Sequence, residues 1–156
     1  FSSPIVYQTT AFAEAFKPVM QNYFSSKSGL WHYLQMAEGN YREYLRGDIV
    51  KAKKYFYVLR PILACRWILE RGTPPPMLFS ELAASQLPDY LKESVEKLLD
   101  LKMNAPEMKM IPRIDILNEY MDQSLAEVRA LVEQYPREMM KDWEELNELF
   151  LAALEM

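Results

Sequence analysis

Three features of the sequence predict an all-α fold, a bundle of about six helices around a long central helix that contains a proline. Glycine is scarce, at 4 in 156 residues, and no Asn-Gly or Asp-Gly dipeptide occurs, so tight hairpins lack their usual turn chemistry. Apolar residues recur at steps of three and four through most of the chain, the period of a helix with one buried face. The prolines, 10 in all, mostly stand between the periodic segments, where they act as punctuation. A chain of this length is expected to form one domain and to bury roughly 70% of the surface it exposes when unfolded.

The first helix is expected over residues 5–24. Ser2, Ser3 and Pro4 supply its start, Phe12, Phe16, Val19 and Tyr23 its apolar face, and Pro18 a possible break. A polar connector leads to a second helix over residues 30–46. There Leu30, Tyr33, Leu34, Ala37, Tyr41, Tyr44 and Leu45 share one face at 100° per residue. Gly47 is placed to close this helix with a positive φ, and Asp48 to cap the next. The third and central helix, residues 51–71, stops at Gly72, and the run Thr73-Pro74-Pro75-Pro76 then makes a stiff, extended connector. A short helix over residues 79–84 with Ser80 as its cap follows, and then one from Pro88 to about residue 101. Residues 102–111 read as a loop. Pro112 opens a helix to about residue 134, with Ile114, Leu117, Met121, Leu125, Val128 and Val132 facing inward. Pro136 opens the last helix, whose inner face is expected to hold Met139, Trp143, Leu146, Phe150 and Leu154.

Composition narrows the chemistry. The single cysteine, Cys65, rules out a disulfide framework, and with the single histidine, His32, it rules out a zinc cluster of the usual kind. A reducing, cytoplasmic setting is the expectation. No run of 18 apolar residues and no signal-peptide pattern is present, so no membrane span is expected. The chain opens on Phe1 rather than Met, and a missing N-terminal part is expected. There is no Gly-x-Gly-x-x-Gly, no Walker loop, no Gly-Ser dipeptide and no Asp-x-Asp pair, so a complete small enzyme has little support.

The central stretch is nevertheless unusual. Residues 51–71 carry six basic residues and one acid, a local net charge of +5 in a chain of net charge −4. At 100° per residue Lys53, Tyr57, Arg60, Ala64, Trp67 and Arg71 fall within about 80° of one line, a stripe of cations alternating with aromatics. Such a stripe can grip phosphates and stack a base. It can equally pair with the acidic tail, which is net −5 from Glu133 onward, while its aromatics pack as core. Tyr55, Leu59, Ile62, Cys65 and Leu69 form the opposite, core side. Arg66 falls among them and is expected to be largely buried and therefore paired. Pro61 removes a backbone hydrogen bond, and a kink is expected just before it. Cys65 reads as a small core residue rather than a nucleophile, and His32 has no catalytic partner at motif spacing. Asn40 is placed to cap, to pair with Tyr44 or to touch a ligand.

Five blocks occur in order: Ser3-Pro4-Ile5-Val6-Tyr7; Met36-Ala37-Glu38-Gly39-Asn40-Tyr41-Arg42-Glu43-Tyr44-Leu45; the run from Lys53 to Ile68; Pro75-Pro76-Met77-Leu78-Phe79-Ser80-Glu81-Leu82; and Ile111-Pro112-Arg113-Ile114-Asp115. Together they resemble the YcgL-like, RNA-ligase-associated family of predicted nucleotidyltransferases, and only its helical C-terminal part. The resemblance implies that residues 1–156 are one helical domain of a larger protein whose N-terminal catalytic domain, of the polymerase-β type, carries a Gly-Ser turn and the metal-binding carboxylates. It implies nucleotidyl transfer by the parent protein with an NTP and Mg²⁺, with no cofactor, catalytic residue or metal ligand supplied by this chain. The partners it implies are that catalytic domain, a nucleotide and RNA as one candidate acceptor, with no membrane. The helical part is expected to form one wall of the cleft and to be inactive alone. The residues carried over are Asn40, Tyr41 and Tyr44 on the second helix and Lys53, Lys54, Tyr57, Arg60, Arg66 and Trp67 on the third. A helical module that docks a protein or RNA, with no nucleotide site, is the alternative.

Overall fold

The computed structural model describes residues 5–6, 9–104, 109–139 and 141–154. Within them the chain is mostly helical, as expected, but forms seven α-helices rather than about six, with one short 3₁₀ turn and a two-stranded sheet. The order is α1 (Ala11–Asn22), α2 (Ser26–Tyr44), β1 (Ile49–Lys51), α3 (Lys54–Arg71), α4 (Phe79–Gln86), the 3₁₀ turn Asp89–Leu91, α5 (Lys92–Asn104), β2 (Met110–Pro112), α6 (Asp115–Glu133) and α7 (Glu144–Leu154). No helix among the described residues is long and apolar enough to cross a membrane.

Local chemistry sets several boundaries. Thr10 begins α1, its hydroxyl accepting the amide of Ala13 at 3.2 Å, while the start expected at Ser2–Pro4 lies outside the described residues. The helix runs through Pro18. Ser25 caps α2 by accepting the amide of Ser28 at 3.0 Å. At the end of α3, Gly72 adopts φ +64°, which costs a glycine little, and its amide closes on Ile68 O. Gly47 was expected to play that part for α2 and does not, because α2 already ends at Tyr44 and Gly72 is the glycine with positive φ. Nor is Ser80 a cap, since α4 begins one residue before it, at Phe79, with Leu78 in the cap position and no side-chain bond there.

The strands are the main departure. Val50 pairs with Ile111 in an antiparallel ladder from Ile49–Pro112 to Lys51–Met110, and Arg113 N donates to Asp48 O at 2.9 Å. Asp48, expected to cap the third helix, instead extends this ladder. The segment expected to be a loop therefore ends in a strand, and α3 starts three residues later than periodicity suggested, after β1 has turned.

The core is built around α3, which packs on α2, α4 and α6. Tyr55, Val58, Leu59, Ile62, Leu63, Cys65 and Ile68 are at or near zero exposure, so the apolar arc of α3 is wider than one stripe. Leu30, Leu34, Ala37, Tyr41 and Leu45 of the α2 segment meet it, as do Leu117, Met121, Leu125, Val128 and Val132 of α6. Those inward faces are the ones periodicity marks. Gly29 lets α2 and α3 approach closely, since a Cβ there would sit 3.3 Å from Ile68 Cδ1. A buried polar knot ties three elements together. Tyr55 Oη donates to Asn118 Oδ1 at 2.8 Å and accepts the Ile114 amide at 2.7 Å, and Asn118 Nδ2 donates to Leu45 O at 2.8 Å.

The last helix corrects the sequence reading most. It begins at Glu144 rather than Pro136 and packs on α1. Of its expected inner face, Met139, Trp143, Phe150 and Leu154 are exposed, and Leu146 alone of the five is half-buried.

Candidate functional site

The cation–aromatic stripe of α3 is divided in two by the connector that follows the helix. Residues 73–78, stiffened by the three prolines, turn back along α3 instead of leading away. Trp67 Nε1 donates to Thr73 Oγ1 at 3.1 Å, and Arg60 donates through Nη2 to Met77 O. The guanidinium of Arg71 stacks 3.8 Å from the Trp67 ring centre and also donates to Ser85 Oγ of α4 at 3.0 Å. The C-terminal half of the stripe is thus occupied by the protein's own backbone and hydroxyls.

Its N-terminal end meets the end of α2. Lys54, the first residue of α3, places its ammonium 3.5 Å from the centre of the Tyr44 ring and 4.4 Å from that of Tyr57. Tyr44 comes from the last turn of α2, and the β1 turn brings α3 back beside it. Tyr57 is 45% exposed. Lys53 is the residue just before α3, half-buried and adjacent to this group. Glu43, bonded to the Tyr44 hydroxyl, holds that phenol above its ordinary pKa. The arrangement offers an ammonium between two ring faces with one ring accessible, the chemistry that takes a phosphate and a stacked base. Each ring holds an ammonium by about 0.5–2 kcal/mol, more as it is desolvated. A charge-assisted hydrogen bond to a phosphate is worth about 1.5–3 kcal/mol, so Lys54 can be drawn to an anion.

The other residues carried over from the resemblance lie elsewhere. Tyr41 points into the core, 7% exposed, with Oη 3.5 Å from Asn118 O; burial, with the Asp122 carboxylate second, pushes its phenol up to about 12. Asn40 donates to Met36 O of its own helix at 2.8 Å, a bond inside α2 rather than at its cap or to Tyr44. Arg66 was expected to be largely buried and is only half-buried. It turns to α6, where Nη2 meets Glu127 Oε2 at 2.8 Å and Ser124 Oγ at 3.1 Å. Its partner is therefore on α6 rather than in the acidic last helix. Cys65 sits wholly buried, its Sγ 3.6 Å from Leu30 O, and burial pushes the thiol up to about 12, which is no nucleophile. His32 is exposed, its ring edge-on to Tyr33 at 5.3 Å.

Tyr33 is a residue that sequence reasoning assigned to the core alone. It is half-buried and lies near enough to Arg60 for the guanidinium to pull its phenol pKa down, against a larger upward push from burial. Its place one helical turn before Ala37 gave no signal of this, because the approach of Arg60 is set by how α2 and α3 cross.

Two concave regions lie away from these residues. An apolar cavity of about 320 Å³ between α4 and α5 is lined by Phe79, Ala83, Leu87, Val95 and Leu99. A wider groove of about 1430 Å³ runs between the α1–α2 turn and residues 137–145, with Tyr23 and Trp143 in its wall. Among the described residues no group of three or more His, Cys, Asp or Glu side chains comes together to hold a metal ion.

Comparison with known proteins places the chain. The family model described as "RNA repair pathway DNA polymerase beta family" matches residues 1–152. The uncharacterized protein YcgL of Bacillus subtilis (strain 168) is 36% identical over 156 residues, covering 99% of this chain and 60% of that protein. The chain thus spans about three-fifths of the length of the curated relative it matches. No solved structure matches it. A family model covering nearly the whole chain, with a relative of this identity, makes the chain a member of the RNA repair pathway DNA polymerase beta family.

Proposed function

We propose that residues 1–156 are the helical nucleotide- and substrate-binding part of a nucleotidyltransferase, forming one wall of the active-site cleft and inactive by themselves. The observation that carries this reading is the group at the start of α3, with Lys54 between the rings of Tyr44 and Tyr57. Membership of a polymerase-β family supports it, because transfer of a nucleotidyl group requires a polyphosphate to be held and neutralised. In this reading Lys54 and Lys53 meet phosphate oxygens and Tyr57 stacks on the base or ribose. Arg60 and Trp67 anchor the connector that edges the site. Mg²⁺, where bound by such a protein, would supply charge neutralisation at the phosphates. The described residues of this chain do not fit the role of holding it, since they gather no carboxylate cluster. The catalytic carboxylates belong, in this reading, to a domain outside residues 1–156, and RNA is one candidate acceptor.

The test is a titration of the full-length protein with ATP, GTP, CTP and UTP, with and without Mg²⁺. Lys54→Ala and Tyr57→Ala are expected to weaken the bound nucleotide about tenfold each, equivalent to about 1.4 kcal/mol. Arg60→Ala is expected to weaken it less, through the connector. A wild-type protein that binds none of the four would sink the proposal. If it instead binds RNA steeply weakened by salt, an RNA-docking module is the better account.

A further inference from the structure

Helix α7 carries two apolar stripes, and the structure covers one of them. At 100° per residue Leu146, Leu149 and Ala153 form a stripe, and each is half-buried, on the side that packs against α1. A second stripe, about 100° further round, holds Trp143, Phe150, Leu154 and, at its edge, Leu151. These are 61%, 62%, 69% and 61% exposed. Helix α1 adds Phe12, 37% exposed and stacked on Phe16 at 5.7 Å between ring centres. Neither helix has a fully buried residue. Tyr23 joins the two, its ring 6.3 Å from Trp143 and its hydroxyl donating to Asp142 O at 3.0 Å. The wide groove beside this pair continues the same surface.

The size of this face indicates what it is for. Taking about 200 Å² for each large side chain, the five exposed residues leave on the order of 500–600 Å² of apolar surface open. That is at the upper end of the largest patch a monomer leaves in water, about 300–600 Å². It is the right size for one side of an interface between domains of a single chain, which run from about 600 to 1,500 Å².

We infer that this open face of the α1–α7 pair seats a further part of the protein, the counterpart of the two-fifths of its Bacillus subtilis relative that residues 1–156 do not span. The inference shares one premise with the proposed function, that the working protein is longer than this chain, as its relative is. Self-pairing through the same face is the poorer fit. The edge of α7 next to the open stripe carries Glu144 and Glu148, and two copies meeting there would bring like charges together.

The full-length protein tests this through two lysines on the segments that carry the face, Lys17 of α1 and Lys141 just before α7. Amine-reactive cross-linking with peptide mapping is expected to join them to residues outside 1–156. Amides of α1 and α7 are expected to exchange slowly. The double variant Phe150→Glu, Leu151→Glu should speed that exchange by about tenfold or more, leaving α3 and α6 as protected as before. Two results would overturn the inference: wild-type α7 amides exchanging as fast as an unstructured tail, or, in a mixture of isotopically light and heavy protein, cross-links from these lysines that run solely between copies. Nucleotide titration of the same protein separates the two proposals. Intact cross-links without nucleotide binding would remove the nucleotide site and leave this interface standing.

Discussion

Removing one oxygen from the centre of the fold should cost as much as a large core deletion. Tyr55 is fully buried, and its hydroxyl makes two short bonds at once, giving its proton to Asn118 Oδ1 at 2.8 Å and accepting the Ile114 amide at 2.7 Å. Tyr55→Phe keeps the ring and so opens almost no cavity. The change instead strands an amide oxygen and an amide N–H. A buried polar group left without a partner costs about 1–3 kcal/mol. Asn118 is 7% exposed and should meet the full penalty, while the Ile114 amide is only partly buried and water can reach it. The sum is about 2–4 kcal/mol, a fall in Tm of about 5–15 °C for a chain of this size. Urea melts followed by circular dichroism, with the slope checked to be unchanged, give the free energy directly. The control is Tyr41→Phe. Its bond to Asn118 O is 3.5 Å long, so that variant should lose less than about 1 kcal/mol. A Tyr55→Phe loss below about 0.5 kcal/mol would refute the claim that this knot holds α2, α3 and α6 together.

Other expectations follow from single features. Gly72 has φ +64° and nothing within 4 Å of the point a Cβ would occupy, so Gly72→Ala should cost about 1 kcal/mol from the backbone alone, and Gly72→Asn less, read as shifts in the urea midpoint. Cys65 should react with a thiol reagent only as fast as the chain unfolds, because its thiol is buried and pushed up to about 12; rapid labelling of the native protein would contradict that placement. The Tyr41 phenol is held near 12 in the folded chain against 10.0 ordinarily, so below pH 10 both states keep the proton and stability is unaffected. As pH rises from 10 through 12 the unfolded chain loses a proton that the native chain retains, and stability falls. Tyr41→Phe should flatten that part of the profile of urea midpoint against pH.

Much of the fold was legible because helix formation is a local pattern. The inward residues of α2 and α6 are those that recur every three and four positions, and Ser25 caps within four residues of its own helix. The strands were not legible. Three residues on each side, about sixty apart in sequence, pair through backbone groups that every residue carries, and no turn dipeptide announces them. The end of the chain was misread for a different reason. Periodicity shows that α7 has an apolar side, but α7 is apolar around more than half its circumference, and period alone cannot say which stripe meets α1.

The candidate site divides along the same line. That residues 54–71 form a largely buried cationic helix, with Tyr57, Arg60 and Trp67 on one side and Tyr55, Leu59, Ile62 and Cys65 on the other, is written in a 100° step; where the helix begins is not. Which of those side chains stay available was decided in three dimensions. The triple-proline connector folds back and takes the hydrogen bonds of Arg60 and Trp67, α6 takes Arg66, and the strand pair returns α3 beside the end of α2 so that Lys54 lands between Tyr44 and Tyr57. Local period sets the face on which a residue sits. Contacts between segments distant in sequence, each worth about a kilocalorie and none encoded in the spacing of neighbours, set what that face meets.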